Sequence, residues 1–224
     1  MTHLPAYRLK LYRNFKALKP SGYYGIVHFY EQHEEAIRQL GQEEYFDCTL
    51  AYTEALFHIG NYRQHLVMCD HLLEQVMLHN INTWGGDDIY TRLLLQKAKT
   101  LLRIHETQRS EHVLRELVKL HPYEKQFEVL LRNCLLRQKS AWKHRCRSTT
   151  IVLVFLAVAA IGVELFVVRR FFIDWYEKAL LLHNGLLIAS VLVLVAGEYG
   201  HFRACRRVAS SFVQKIRAKK ALSP

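Results

Sequence analysis

Two long apolar runs constrain this chain more than any other feature of its sequence. Thr149 to Val168 reads TTIVLVFLAVAAIGVELFVV, 20 residues with one ionisable group, and Ala179 to Gly197 reads ALLLHNGLLIASVLVLVAG, 19 residues of similar character. At a rise of about 1.5 Å per residue, helices of this length cover roughly 30 Å, the thickness of a bilayer's hydrocarbon core. The ten residues between them, RRFFIDWYEK (169–178), are enough for a turn, so the two runs predict a transmembrane hairpin. The competing arrangement is a pair of wholly buried helices in a water-soluble core, but a 224-residue chain leaves too little other mass to wrap both.

Charge sharpens this reading. The formal net charge is +11, yet residues 1–19 carry five Lys/Arg and no acid, residues 20–138 carry 12 against 16, and residues 139–224 carry 14 against 4. The basic excess therefore borders the apolar runs and does not cover one face of a globular domain, which argues against nucleic acid as the partner. Four Lys/Arg precede the first run in KSAWKHRCR and seven follow the second in HFRACRRVASSFVQKIRAKKA, while the connecting loop has three, partly offset by Asp174 and Glu177. The positive-inside rule then puts both termini in the cytoplasm, in a two-span protein of the plasma (inner) membrane with anionic headgroups as lipid partners. Trp142 on one side and Phe171, Phe172, Trp175 and Tyr176 on the other fit aromatic interface belts.

Inside the spans, Glu164, His183 and Asn184 stand at similar depth in an antiparallel hairpin and are expected to face each other, because a polar side chain in hydrocarbon needs a partner. Gly185 and Ala189, spaced as small-xxx-small, are the expected point of close approach. Glu198, at the cytoplasmic edge, is within reach of Arg203 or Arg145.

The residues before the spans read as helices throughout. Apolar residues recur at spacings of three and four, as in Leu93, Leu94, Ala98, Leu101 and Leu102, and no alternating strand pattern occurs. Helices are expected near 4–18, 22–39, 43–59, 62–78, 88–104, 107–120 and 123–138, joined by short turns into antiparallel hairpins. The stretch LAYTEALFHIGNYRQHLVMCDHLLEQV (50–76) resembles a tetratricopeptide repeat: Gly60 and Tyr62 fall at its Gly-x-Tyr turn, and Leu72 and Leu73 on the inner face of its second helix. KAKTLLRIHETQRSEHVLRELVKLHP (97–122) resembles a second unit, with Ala98, Leu101, Leu114, Leu117 and Pro122 in place. His65 and Ser110 stand where the repeat usually has alanine, and the units are offset by 45 residues instead of about 34. The excess is the segment LHNINTWGGDD, an insertion whose double glycine is expected to be a flexible loop, with Asp87 or Asp88 capping the next helix.

This resemblance implies a protein-binding groove. Arg92, Gln96, Lys99 and Arg103 share one helical face, and Arg137 extends it, which suits an acidic or C-terminal peptide as partner. The first unit's corresponding positions, Asp47, Glu54 and His58, would give the groove mixed polarity.

No nucleotide-loop, nucleophile-elbow or metalloprotease motif is found, so no enzymatic activity and no cofactor are expected. His28 with Glu31, and His65 with Cys69, are two-ligand pairs at best, short of the three or four ligands a metal site needs. Cys48, Cys69, Cys134, Cys146 and Cys205 contain no Cys-x-x-Cys and are placed on the reducing side, where disulfides are not expected. Both HLPAYRLKLYRNFKALK and the tail, with Phe202, Cys205, Val208, Phe212 and Ile216 on one side, read as basic amphipathic helices that could lie on the membrane, the first alternatively capping the helical array.

The expected architecture is thus all-α: a basic N-terminal segment (1–21), a TPR-like helical hairpin array (22–138), a basic juxtamembrane segment (139–148), span one (149–168), an external loop (169–178), span two (179–197) and a basic amphipathic tail helix (198–224). The helix starting near Tyr123 is expected to run with little interruption into span one. The expected role is a membrane-anchored interaction scaffold that recruits a protein partner at the cytoplasmic face. The alternative is an accessory subunit docking a larger membrane complex through its hairpin, and the sequence leaves partner identity and oligomeric state open.

Overall fold

Gly22, Gly41 and Gly60 stand at helix ends in the computed structural model. The structure describes residues 4–19, 22–138, 141–168 and 176–222. The helices are α1 (Leu4–Lys16), α2 (Tyr23–Gln32), α3 (Glu34–Arg38), α4 (Gln42–Ile59), α5 (Tyr62–Leu78), α6 (Ile89–Arg103), α7 (Thr107–Leu120), α8 (Lys125–Arg137), α9 (Ala141–Val163), continued by a π-helical turn at Glu164–Val168, and α10 (Tyr176–Leu222). The chain divides into two compact units, Met1–Phe127 and Glu128–Pro224.

In the first unit α4 is the central helix. It starts where the Gly41 N–H donates to Glu44 Oε2 at 3.3 Å, and it stops at Gly60, whose φ of +85° is the left-handed conformation that glycine adopts without strain. Phe46, Cys48, Thr49, Tyr52, Ala55 and Leu56 are all buried, so α4 is covered on most sides. Around it, Leu11 and Phe15 of α1 join Ile26, Val27, Tyr30 and Ile37 in one core cluster. The N-terminal helix therefore packs into this unit. The predicted 22–39 helix is broken at His33 (φ −117°, ψ 21°); its ring Nδ1 lies 3.0 Å from the Phe29 carbonyl oxygen, which also accepts the His33 backbone N–H.

Helices α5, α6 and α7 follow as successive neighbours. Leu72, Leu93, Leu101, Leu114 and Leu117 are fully buried between them. The two positions where a small residue was expected are occupied by polar groups with partners: Ser110 Oγ donates to the Ala98 carbonyl oxygen at 3.0 Å, and His65 Nδ1 lies 3.0 Å from Thr100 Oγ1. Burial lowers the His65 pKa to about 4, so the ring is neutral at pH 7.

The inserted segment is ordered. Thr83–Trp84 (β1) pairs antiparallel with Asp87–Asp88 (β2), and Gly85 and Gly86, at φ +63° and +90°, form the tight turn between them. This corrects the expected flexible loop: positive φ at both central residues is what a two-residue hairpin turn demands, and a double glycine supplies it. Trp84 packs edge-on against Phe46 with ring centroids 4.9 Å apart, which ties the hairpin to α4. Asp88 caps α6, its Oδ1 accepting from the Thr91 N–H at 3.2 Å.

In the second unit, α9 packs against α10. The expected uninterrupted helix into the first apolar run does not occur, because α8 ends at Arg137 and Gln138 is a bend. In contrast, the expected boundary at residue 198 is absent: α10 runs 47 residues, about 70 Å at the usual rise. The tail is the continuation of the second apolar helix, and its buried residues are His201, Cys205, Ala209 and Val213, not the face with Phe202 and Val208. Glu128 of α8 and Arg217 approach to 3.9 Å, and His201 Nε2 lies 3.5 Å from the Leu136 carbonyl oxygen, so this stretch of α10 runs beside α8. Most of the predicted loop, with Phe171, Phe172 and Trp175, lies outside the described residues, as does the side chain of Tyr176.

Helices α9 and α10 are long and apolar enough to cross a membrane. Their most apolar stretches have mean hydropathies of 2.4 and 2.2, and 11% of each is buried.

Candidate functional site

Two places carry the sequence-predicted residues. The first is the outward face of α6. Arg92 is drawn into a close ion pair with Glu54 of α4 and also lies 3.7 Å from Asp87 Oδ2. Gln96 is half-buried, and its Oε1 has no hydrogen-bond partner among the described residues. Lys99 and Arg103 are exposed. Arg137 is exposed too, but it belongs to the second unit.

The first unit's acidic counterparts are similarly committed to neighbouring helices. Asp47 accepts from Tyr12 Oη at 2.9 Å and lies 2.5 Å from Lys16 Nζ, which fastens α1 to α4. His58 stacks on Tyr23 at 4.2 Å, joining α4 to α2. The expected groove of mixed polarity is therefore mostly a set of inter-helix clasps, and Lys99 and Arg103 are its cations without a partner among the described residues. Spacing along α6 puts Arg92, Gln96, Lys99 and Arg103 on one side of the helix, and which of them meet an opposite charge depends on the neighbouring helix.

The second place is the seam between α9 and α10. On α9 the less exposed side chains fall at Cys146, Thr150, Leu153, Ala157, Ala160 and Glu164, and on α10 at His183, Leu186, Ser190, Val193, Gly197 and His201. Steps of three and four on both helices are the spacing of left-handed antiparallel packing. Glu164 Oε2 and His183 Nδ1 approach to 2.7 Å, both largely buried. The approach is off-axis, since neither atom makes a hydrogen bond of acceptable angle, so it is a close apposition of two buried polar groups. Glu164 also begins the π-helical turn, a local widening that shifts where its side chain points.

Asn184 does not join the pair. It is exposed, because the next residue along a helix is turned by about 100° and the seam admits one of two neighbours. The expected close approach at Gly185 is likewise corrected: a Cβ there would meet nothing within 4 Å. The tight position is Gly197, where a Cβ would stand 2.6 Å from Cys146 Cβ. That glycine was legible only as the last residue of its run.

At the same end, Glu198 pairs with Lys143 at 2.8 Å and Arg147 at 3.4 Å, not with Arg145 or Arg203. The Lys143 hydrogen bond, more than the other contacts, holds its carboxyl below the usual carboxylate range. Arg203 instead lies over the Tyr199 ring at 4.5 Å.

All five cysteines are unbridged. Burial pushes the Cys48 and Cys69 thiols up to about 12, so neither is a thiolate nucleophile at neutral pH. Among the described residues no three His, Cys, Asp or Glu side chains converge as a metal site. Compared with protein-family models, curated proteins and solved structures, the chain matches none.

Proposed function

We propose that this chain is a membrane-anchored interaction scaffold, with a TPR-like helical array at the cytoplasmic face of the plasma (inner) membrane and both termini on that side. The observation that carries the reading is the outward display of apolar side chains on α9 and α10, of whose apolar stretches only 11% is buried. Helices that served as the core of a soluble fold would hide those side chains, whereas hydrocarbon covers them at no cost. Lys143, Arg145 and Arg147 at the start of α9, and Arg203, Arg206 and Arg207 beyond the apolar part of α10, are suited to anionic headgroups at one membrane surface. The recruiting surface is α6, where the exposed Lys99 and Arg103 suit an acidic or C-terminal peptide.

Alkaline carbonate extraction and cysteine labelling test the anchor. The full chain is expected in the membrane pellet, with Glu177→Cys labelled only from outside and Gln108→Cys, at an exposed position of α7, only after permeabilisation. Release by carbonate, or the reverse labelling, overturns the reading. The recruiting surface is tested by purifying the full chain in mild detergent: Lys99→Glu with Arg103→Glu is expected to lose the co-purifying partner, and unchanged capture removes α6 from the proposal.

A further inference from the structure

The apolar runs contain few polar side chains, and all but one of those described either bond their own backbone or are buried in the seam of the hairpin. Thr149, Thr150 and Ser190 donate to backbone carbonyl oxygens of their own helices, at 2.9, 2.9 and 2.7 Å. Glu164 and His183 are largely buried against each other in the seam, away from the surroundings. Asn184 is exposed and has no hydrogen-bond partner among the described residues. Resting on the membrane reading above, this places a primary amide, with two donors and one acceptor oxygen, against lipid tails. It stands five residues inside the apolar run, about 8 Å from its end at the usual rise, and its side chain is too short to reach headgroups as lysine or arginine would. An unpaired amide in hydrocarbon is unfavourable, and a neighbouring helix offering a complementary group relieves it.

The face around Asn184 is built to receive such a helix. Leu181, Asn184, Ile188, Val191 and Val195 recur at steps of three and four on the side of α10 away from the α9 seam, with Leu181 77%, Ile188 62%, Val191 61% and Val195 56% exposed.

We infer that this face pairs in parallel with α10 of a second copy of the chain, the two Asn184 amides hydrogen-bonded across a twofold axis normal to the membrane. Two copies inserted with one topology hold Asn184 at the same depth, and an amide is its own complement, donor to acceptor in both directions. A twofold contact uses one patch against itself, which this face satisfies without a second matching surface. A single polar residue in an otherwise apolar heptad-spaced seam is also the device that sets register and copy number in helical assemblies.

The test uses the full chain, labelled with donor or acceptor fluorophores and reconstituted into phosphatidylcholine vesicles, with energy transfer followed as lipid is added. Flotation of the chain with the vesicles is the first readout, and failure to float overturns the membrane reading and this inference with it. In floating samples the parent is expected to show transfer that falls on dilution. Asn184→Leu is expected to weaken self-association about tenfold, the effect of losing an interhelical hydrogen bond of this kind, and Asn184→Gln to restore it in part. Phe155→Leu, on α9, is expected to match the parent. Equal association of Asn184→Leu and the parent, or no transfer in the parent, overturns the inference while leaving the anchor intact. So does loss of a different membrane protein on Asn184→Leu in the absence of self-association, which assigns the face to that protein instead.

Discussion

The first unit and the α9–α10 hairpin of the second use leucine in opposite ways. In the first, Leu56, Leu72, Leu93, Leu101, Leu114 and Leu117 are fully buried, and polar side chains clasp one helix to the next. In the second, Leu181, Leu182, Leu187, Leu192 and Leu194 are exposed, while the seam holds Glu164, Ser190, His201 and small residues. One chain thus contains a polar-outside and an apolar-outside arrangement of the same element. The difference teaches that hydrophobic burial organises the first unit, whereas the hairpin keeps small, polar and a few apolar side chains in its seam and turns most of its leucines outward.

The largest expected difference between the units comes from one chemical change made in each. Leu101→Ala empties a fully buried site and is expected to cost about 2 to 5 kcal/mol of first-unit stability. Leu192→Ala, at a side chain 62% exposed, is expected to change the second unit by about 0.5 kcal/mol or less. Denaturant unfolding of the full chain in detergent, followed by far-UV circular dichroism, reads both; equal losses would erase the contrast.

Acid separates the units next. His65 is buried neutral, with a pKa of about 4 in the fold against 6.5 ordinarily. Below pH 6.5 the unfolded chain takes up a proton that the folded ring refuses, so stability is full above that pH, falls as pH drops toward 4, and levels beneath it. The loss approaches about 3 kcal/mol. His65→Gln is expected to remove this slope from the first unit, and an undiminished slope in the variant would assign the acid sensitivity elsewhere.

The smallest effect concerns two glycines of α10. Gly197→Ala drives a methyl into Cys146 and is expected to destabilise the hairpin by about 1 to 3 kcal/mol, less the ~1 kcal/mol that alanine gains in a helix interior. Gly185→Ala enters open space and keeps that gain when the chain is monomeric in detergent. Thermal unfolding in dilute detergent distinguishes them, and identical responses would mean that Gly197 is not the point of closest approach.

Most helix limits were legible because periodic leucines, Gly41, Gly60 and the cap at Asp88 are local signals, and a helix responds to local signals first. The opposition of Glu164 and His183 was legible as well, since an antiparallel pair joined by a short loop fixes depth by counting. The break at His33 was not, because no glycine or proline marks it. Nor was the commitment of Arg92 to Glu54, which depends on how far α4 and α6 are rotated about their own axes. The double glycine and the unbroken α10 were written in the sequence: Gly-Gly suits a two-residue turn, and no proline interrupts 177–222.

By itself, then, the sequence determined which stretches are helical, which two are apolar enough to cross a bilayer, and which polar residues share a depth, because each follows from spacing along one chain. The tertiary structure alone decided which side chain at each depth faces a neighbour. It turned His183 inward and Asn184 outward, and placed Gly197 where Cys146 comes closest, because rotation about a helix axis is set by the packing of whole faces and not by any one residue.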